Sequence, residues 1–209
     1  MNSVQELETF FNDFVCNCKS VQKRFFKKNE TITTYIRNRN QVCILLDGEA
    51  DLVRYEIKGD KSIIEHFTKN DIFGEAFYTI TTNNELSVEA KKNCTVLFYI
   101  YDNLNHKCRN NCKFHQTLTE NFSDLILNKI TQQNTRIEIL TKRSIRDKLL
   151  GYFNTLSTRN FSKTISIPFS LTDLADFLSV DRSAMMRELK SLKDEGFIKK
   201  SRDKITLLY

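Results

Sequence analysis

Proline is almost absent from this chain, occurring once at Pro168, and glycine is scarce, at five residues. Gly48, Gly59 and Gly74 fall close together, and none follows until Gly151. A stretch of that length without either breaker can hold a long helix, because the residues that end or kink helices are missing from it. Histidine is equally sparse. Only His66 falls in the strand-patterned region, too few for the several imidazoles and an acid that a metal-dependent barrel enzyme requires. No nucleophile with its base, paired-carboxylate pattern or glycine-rich phosphate loop is present either, so a barrel enzyme stands only as an alternative reading.

No apolar run approaches the length of a membrane span. The opening MNSVQELETFFNDFVCNCKS is acidic and mixed, where a secretory signal is basic and then apolar. The chain is therefore expected in the cytoplasm, with no membrane partner. There the six cysteines, Cys16, Cys18, Cys43, Cys94, Cys108 and Cys112, are expected as reduced thiols, most of them packing residues.

What the chain does have is charge in one place. Residues 1–140 carry 18 Lys+Arg against 18 Asp+Glu, whereas residues 141–209 carry 14 against 8, so the whole net charge of +6 lies in the last third. That asymmetry points to a polyanion partner for the C-terminal part alone.

Pattern divides the chain further. QVCILLDGEADLVRYEI predicts two short strands broken at Asp47-Gly48, KSIIEHFTKNDIFGE a third with a turn at Asn70-Asp71, and CTVLFYIY another, which together predict a small antiparallel barrel or sandwich. From Phe114 to Leu140 the spacing is helical: Leu118, Phe122 and Leu125, then Ile126 and Ile130, then Ile137 and Leu140 recur three or four apart, with a polar gap at Gln132, Gln133 and Asn134. Such a stripe suits packing against a second copy of the helix, although its slipped register departs from a strict heptad, and its first half serves equally well to cover the chain's own barrel. A basic helix is expected after Thr141.

Residues 170 to 198, SLTDLADFLSVDRSAMMRELKSLKDEGFI, hold two apolar-periodic segments joined by a tight step. Ser170 with Asp173 reads as a capping box, Asp181 as the second cap and Gly196 as the stop. Leu174, Ala175 and Leu178 face Ala184, Met185, Leu189 and Leu192. FIKKSRDKITLLY then reads as a hairpin turning near Arg202-Asp203. Helix, turn, helix and hairpin make a winged helix-turn-helix, whose second helix fits the major groove of B-form DNA while the first directs its N-terminus at phosphate. The DNA-contact set is Thr172 on the first helix, Asp181, Arg182, Ser183, Met186, Arg187 and Lys190 around the second, and Lys199 and Lys200 in the wing. Arg182 and Arg187 can donate bidentately to guanine, and Met186 offers an apolar contact. Ser179 occupies a turn position where glycine is usual, which predicts a strained or altered turn.

With these parts in this order, the chain resembles the CRP/FNR family of bacterial transcription regulators over nearly its full length. The resemblance implies an α+β protein: an N-terminal antiparallel β-barrel of jelly-roll, cyclic-nucleotide-binding-like form (1–113), a long dimerisation helix (114–140) and a C-terminal winged helix-turn-helix (141–209). It also implies a homodimer on double-stranded DNA with a palindromic operator, admits RNA polymerase as a further partner, and has a signal at the barrel re-aim the reading helices through a hinge at Leu140 to Ser144. No cofactor is implied beyond a small-molecule effector, whose pocket would involve Gly74, Glu75, Leu86 and Ser87. Family members that bind cyclic AMP carry an arginine where this chain has Leu86, and no arginine occurs between Arg54 and Arg109. Cyclic AMP is therefore not the expected effector, and Gly74-Glu75 is expected to hold the turn. The family's iron-sulfur branch needs a larger N-terminal cysteine group than Cys16 and Cys18. Cys108 and Cys112, flanked by His106 and His115, form a lesser alternative, a redox pair or a zinc site.

Overall fold

The computed structural model describes residues 21–35, 40–55, 61–78, 86–100, 113–201 and 204–209, with side chains of the long helix described from residue 122 onward. The chain separates into two compact units, Met1–Ile130 and Thr131–Tyr209.

The first unit is built from two antiparallel four-stranded sheets. Strands β1 (Val21–Phe26), β8 (Cys94–Ile100), β3 (Gln41–Asp47) and β6 (Ile72–Phe73) form one, and β2 (Thr31–Thr34), β7 (Leu86–Ala90), β4 (Ala50–Tyr55) and β5 (Lys61–Phe67) form the other. Among the described residues no strand pairing joins the sheets, so the expected antiparallel jelly-roll barrel takes the form of a pair of facing sheets. Between them Cys43, Leu45, Leu52, Phe67, Phe73 and Phe98 share one core. β3 is buried on both faces: Cys43 and Leu45 enter that core, while Ile44 and Leu46 pack with Leu97, Tyr99 and Leu125 of the long helix. This two-sided burial explains why β3 reads as a continuous apolar run. β5 alternates because only one of its faces is deeply covered.

Helix α1 (Lys113–Leu140) occupies the glycine- and proline-free stretch. Its apolar residues divide between two faces. Leu125, flanked by Phe122 and Ile126, lies on the first sheet, whereas Leu127, Ile130 and Ile137 are 61%, 50% and 57% exposed. Lys129 is also turned inward. Its Nζ donates to Glu65 Oε1 at 2.8 Å and to the Ile72 carbonyl at 3.2 Å, and it lies 5.3 Å from the centroids of both Phe67 and Phe77. Removing one partner from so buried a pair leaves an uncompensated charge, which is costly.

In the second unit, α2 (Ile145–Asn160) starts later than the sequence suggests, because Ser144 is its N-cap and accepts from the Asp147 N–H at 3.0 Å. A short strand β9 (Thr164–Ser166) precedes α3 (Leu171–Leu178) and α4 (Arg182–Asp194), and β10 (Ile198–Ser201) and β11 (Lys204–Leu207) complete the module. β9 pairs with β11, so the wing is a three-stranded sheet in the order β10-β11-β9 rather than a simple hairpin. The turn expected at Arg202-Asp203 lies outside the described residues. Among the described residues no helix is long and apolar enough to cross a membrane.

Candidate nucleic-acid interface

Caps and core fix the two helices of the module. The Asp173 N–H donates to Ser170 Oγ at 3.1 Å and the Ser170 hydroxyl donates to Asp173 Oδ2 at 2.9 Å. Asp181 Oδ1 accepts from the Ala184 N–H at 2.7 Å, so this residue of the contact set also starts α4. Leu174, Ala175, Leu178, Met185, Leu189 and Leu192 are all buried. Ala175 is buried between the helices, while Ala184, expected inward, is only half-buried. Ser179 takes the left-handed conformation (φ +51°), with its N–H donating to the Asp176 carbonyl at 3.2 Å. The tight step is thus made without glycine, at a strain typical of a side chain in that region.

This leaves one face of α4 in solvent. Arg182, Ser183, Met186, Arg187 and Lys190 are exposed, as are Thr172 on α3 and Lys199 on β10, whereas Lys200 is half-buried. Of the expected contact set, the α4 members Arg182, Ser183, Met186, Arg187 and Lys190 thus share one solvent-facing side of the helix, while Thr172 stands on α3 and Lys199 and Lys200 on β10. Arg146, which the sequence did not single out, ties α2 to the far end of α4: its Nη1 donates to Glu195 Oε1 at 2.9 Å, its Nη2 to Glu195 Oε2, and it reaches Glu188 at 3.4 Å. Those hydrogen bonds, with a further one from Ser191, lower the Glu195 carboxyl to about 2. Glu188 is thus in part an ion-pair partner of Arg146.

The residues singled out as an effector site lie in the first unit and are mostly enclosed. Gly74 has φ +133°, and a Cβ there would stand 2.1 Å from the Gln41 carbonyl oxygen. Only glycine fits such a position. The Gly74 N–H donates to Tyr35 Oη at 2.9 Å. Burial raises the Tyr35 phenol well above its ordinary range and pushes the Cys43 thiol up, with the nearby Glu75 charge adding to the latter. Glu75 is buried and begins a short 3₁₀ turn, Glu75–Phe77. Next to it, Tyr78 meets the Tyr35 ring at 5.3 Å and donates to Glu65 Oε2 at 3.0 Å, the same carboxylate that holds Lys129. A continuous series of contacts therefore runs from the Gly74 backbone to α1.

Leu86 and Ser87 open β7, and both are half-buried. In the strand register Leu86 stands opposite Arg54 of β4, and Ser87 opposite Val53. Leu52 and Leu86 pack with the core between the sheets, so alternation puts Arg54 on that same side. An arginine thus stands one strand away from Leu86, a neighbour that spacing along the sequence could not show.

Cys16, Cys18, His106, Cys108 and Cys112 lie outside the described residues, as does the side chain of His115. His66 Nδ1 lies 2.6 Å from Asp51 Oδ1 across the β4–β5 pair. Among the described residues no group of three or more His, Cys, Asp or Glu is placed to hold a metal ion.

Two family models match the chain. That of the cyclic nucleotide-binding domain covers residues 23–111, and that of the Crp-like helix-turn-helix domain covers residues 145–209. Among solved structures, FixK2 from Bradyrhizobium japonicum is similar at 16% identity with a TM-score of 0.66, covering 90% of this chain and 93% of FixK2. A CooA mutant from Carboxydothermus hydrogenoformans matches at 15% identity and a TM-score of 0.74, covering 96% of this chain and 90% of that one. A CRP-family transcriptional regulator from Thermus thermophilus matches at 19% identity and a TM-score of 0.62, covering 89% of this chain and 92% of that one. No match was found among curated protein sequences. At these identities the likeness to solved structures is one of fold, over the length of both units.

Proposed function

We propose, since the chain belongs to the CRP/FNR family of transcription regulators, that it acts as a homodimer whose paired winged modules read a palindromic DNA operator in the cytoplasm. One observation carries this reading: Arg182, Ser183, Met186, Arg187 and Lys190 are exposed on one side of α4, while Met185, Leu189 and Leu192 are buried on the other. That is what a helix needs in order to be held by its protein and read a groove at the same time.

The dimer rests on the outer face of α1. Leu127, Ile130, Asn134 and Ile137 are all exposed and follow one another at steps of three, four and three. Those are the a and d positions of a heptad seam, and an asparagine at one a position favours a single register between two strands. Two-fold symmetry then separates the half-sites by about one helical turn, roughly 34 Å. In this reading residues 1–113 sense, 114–140 dimerise and 141–209 bind DNA, with RNA polymerase as the further partner of a bound regulator.

The signal acts at the two-sheet unit and is not cyclic AMP bound in the family's usual way, because Leu86 offers no fork of donors to a cyclic phosphate. Calorimetry with cyclic AMP should show no tight binding. If it does bind tightly, that part fails, and the Arg54→Ala variant then asks whether the cross-strand arginine serves instead.

The whole reading is tested by selecting binding sites from random duplexes at cellular ionic strength and measuring mass by sedimentation. A two-fold symmetric site bound by a dimer is expected. A monomer with no preference among sequences overturns it.

A further inference from the structure

The last turns of α1 carry Arg136 across the corner that separates α1 from α2. Its guanidinium carbon lies 3.9 Å from the centroid of the Phe177 ring on α3. Phe177 in turn lies 4.7 Å from Phe169, just ahead of α3, and 5.4 Å from Tyr152 of α2. Tyr152 and Phe169 are buried. Arg136 therefore caps a three-ring cluster to which two elements and a connecting segment of the winged module contribute. At that distance a planar cation is held over the ring face both by the ring's quadrupole and by stacking, and a lysine would keep only the first of these.

Two further contacts lie nearby, one at this corner and one between α2 and α3. A Cβ at Gly151 of α2 would stand 2.7 Å from Lys142 Cε and 3.7 Å from Ile139 Cγ1, so the bare backbone of Gly151 lets the end of α1 and the Lys142 stem lie directly on α2. Lys148 Nζ donates to the Leu178 carbonyl at 3.3 Å, at the end of α3. The segment Leu140 to Ser144, expected to be a hinge, is thus spanned by the Arg136–Phe177 stack and by the approach of Ile139 and Lys142 to Gly151. The compact unit that holds the winged module begins at Thr131, well inside α1.

We infer that Arg136 is a positioning residue for operator recognition: by stacking on Phe177 it fixes the reading pair α3–α4 against the end of the dimer helix, and so sets the half-site spacing that the dimer accepts. It acts through Phe177 and touches no base. This inference rests on the dimeric, palindrome-reading function proposed above.

The test uses the full chain and the half-site obtained by selection, presented as inverted pairs with spacers lengthened or shortened by one and two base pairs. Wild type should prefer one spacing by about tenfold, the scale of a single well-placed cation–π contact. Arg136→Ala and Phe177→Leu should flatten that preference to within about threefold while leaving base preference inside the half-site unchanged. Arg136→Met, which keeps the stem without the charge, should behave like the alanine variant, and Arg136→Lys should fall between. Thermal unfolding of each variant shows which of them fold, and Arg136→Met with Phe177→Leu decide the matter if Arg136→Ala does not. Variants that keep the wild-type spacing preference overturn the inference alone. Loss of base preference together with spacing preference also overturns it, because the residue then supports the fold in general. A wild-type protein that binds no inverted pair at any spacing overturns the parent reading instead.

Discussion

Gly74 in the two-sheet unit and Arg182 in the winged unit are both positions that the family resemblance picks out, and their surroundings are opposite. Gly74 is locked: its conformation, the closeness of the Gln41 carbonyl and the Tyr35 hydroxyl on its N–H leave no room for a side chain. Arg182 is exposed at the first position of α4, where the adjacent cap is made by Asp181. Burial therefore separates the two positions: Gly74 holds a shape, and Arg182 is free to face the partner proposed above. In the first unit Leu86 stands where the family resemblance leads one to expect an arginine, and in the second the proposed reading face is exposed.

Substitutions can break that comparison. The largest effect is expected from Gly74→Ala, which combines a forbidden φ with a backbone clash and should cost roughly 2–5 kcal/mol. Denaturant unfolding followed by a probe in the first unit measures it, and an unchanged midpoint would remove the shape-holding role. Arg182→Ala and Arg187→Ala should each weaken binding to the selected operator by ~1–3 kcal/mol and relax base preference, with thermal stability within about 0.5 kcal/mol of wild type. By contrast Lys199→Ala should weaken binding to all duplexes alike and lower the slope of affinity against salt by about 1. Equal losses on operator and scrambled DNA for the arginine variants would show that they face phosphate rather than bases.

Smaller effects sharpen the picture of how the reading face is held. Ser179→Gly relieves a left-handed serine and should stabilise the winged unit by about 0.5–1 kcal/mol in thermal unfolding, with operator affinity unchanged. The smallest effect concerns the Arg146–Glu195 clasp. Its carboxyl is depressed in the fold, to about 2, from an unfolded value of roughly 4.3. The contribution is therefore complete above about pH 5 and fades as the pH falls toward 2. Wild type and Glu195→Gln should differ by a small, constant melting temperature from pH 5 to 8 and converge toward pH 2. The difference should shrink in high salt, since the pair is at the surface.

Much of this was legible in the sequence because it is local. The caps Ser170 and Asp181, the stop at Gly196 and the apolar runs of β3 and β8 each announce themselves within a few residues. β1 does not: of its six residues only Val21 and Phe26 are even half-buried, so alternation had nothing to report. β9 is three residues long and exists because β11 pairs with it. On α1 the sequence mixes two stripes into one, since Leu125 and Leu127 differ in which surface they meet rather than in kind. The Ser144 cap could have been found by the same Ser-x-x-Asp spacing that marked Ser170. Arg54 opposite Leu86 and Arg136 over Phe177 could not, because each depends on elements brought together from distant parts of the chain.

The pairing of β9 with β11 reaches beyond the wing itself. Thr164 and Thr206 exchange a hydroxyl hydrogen bond at 3.0 Å, the Leu207 N–H donates to the Lys163 carbonyl at 2.9 Å, and Ile165 and Ile205 face each other in register and are wholly buried. A chain shortened before β11 would therefore bare an apolar strand edge upstream of α3. Early stop codons in this region should yield insoluble or degraded protein rather than a regulator with a trimmed grip, and a wingless version cannot serve as a clean control for wing function.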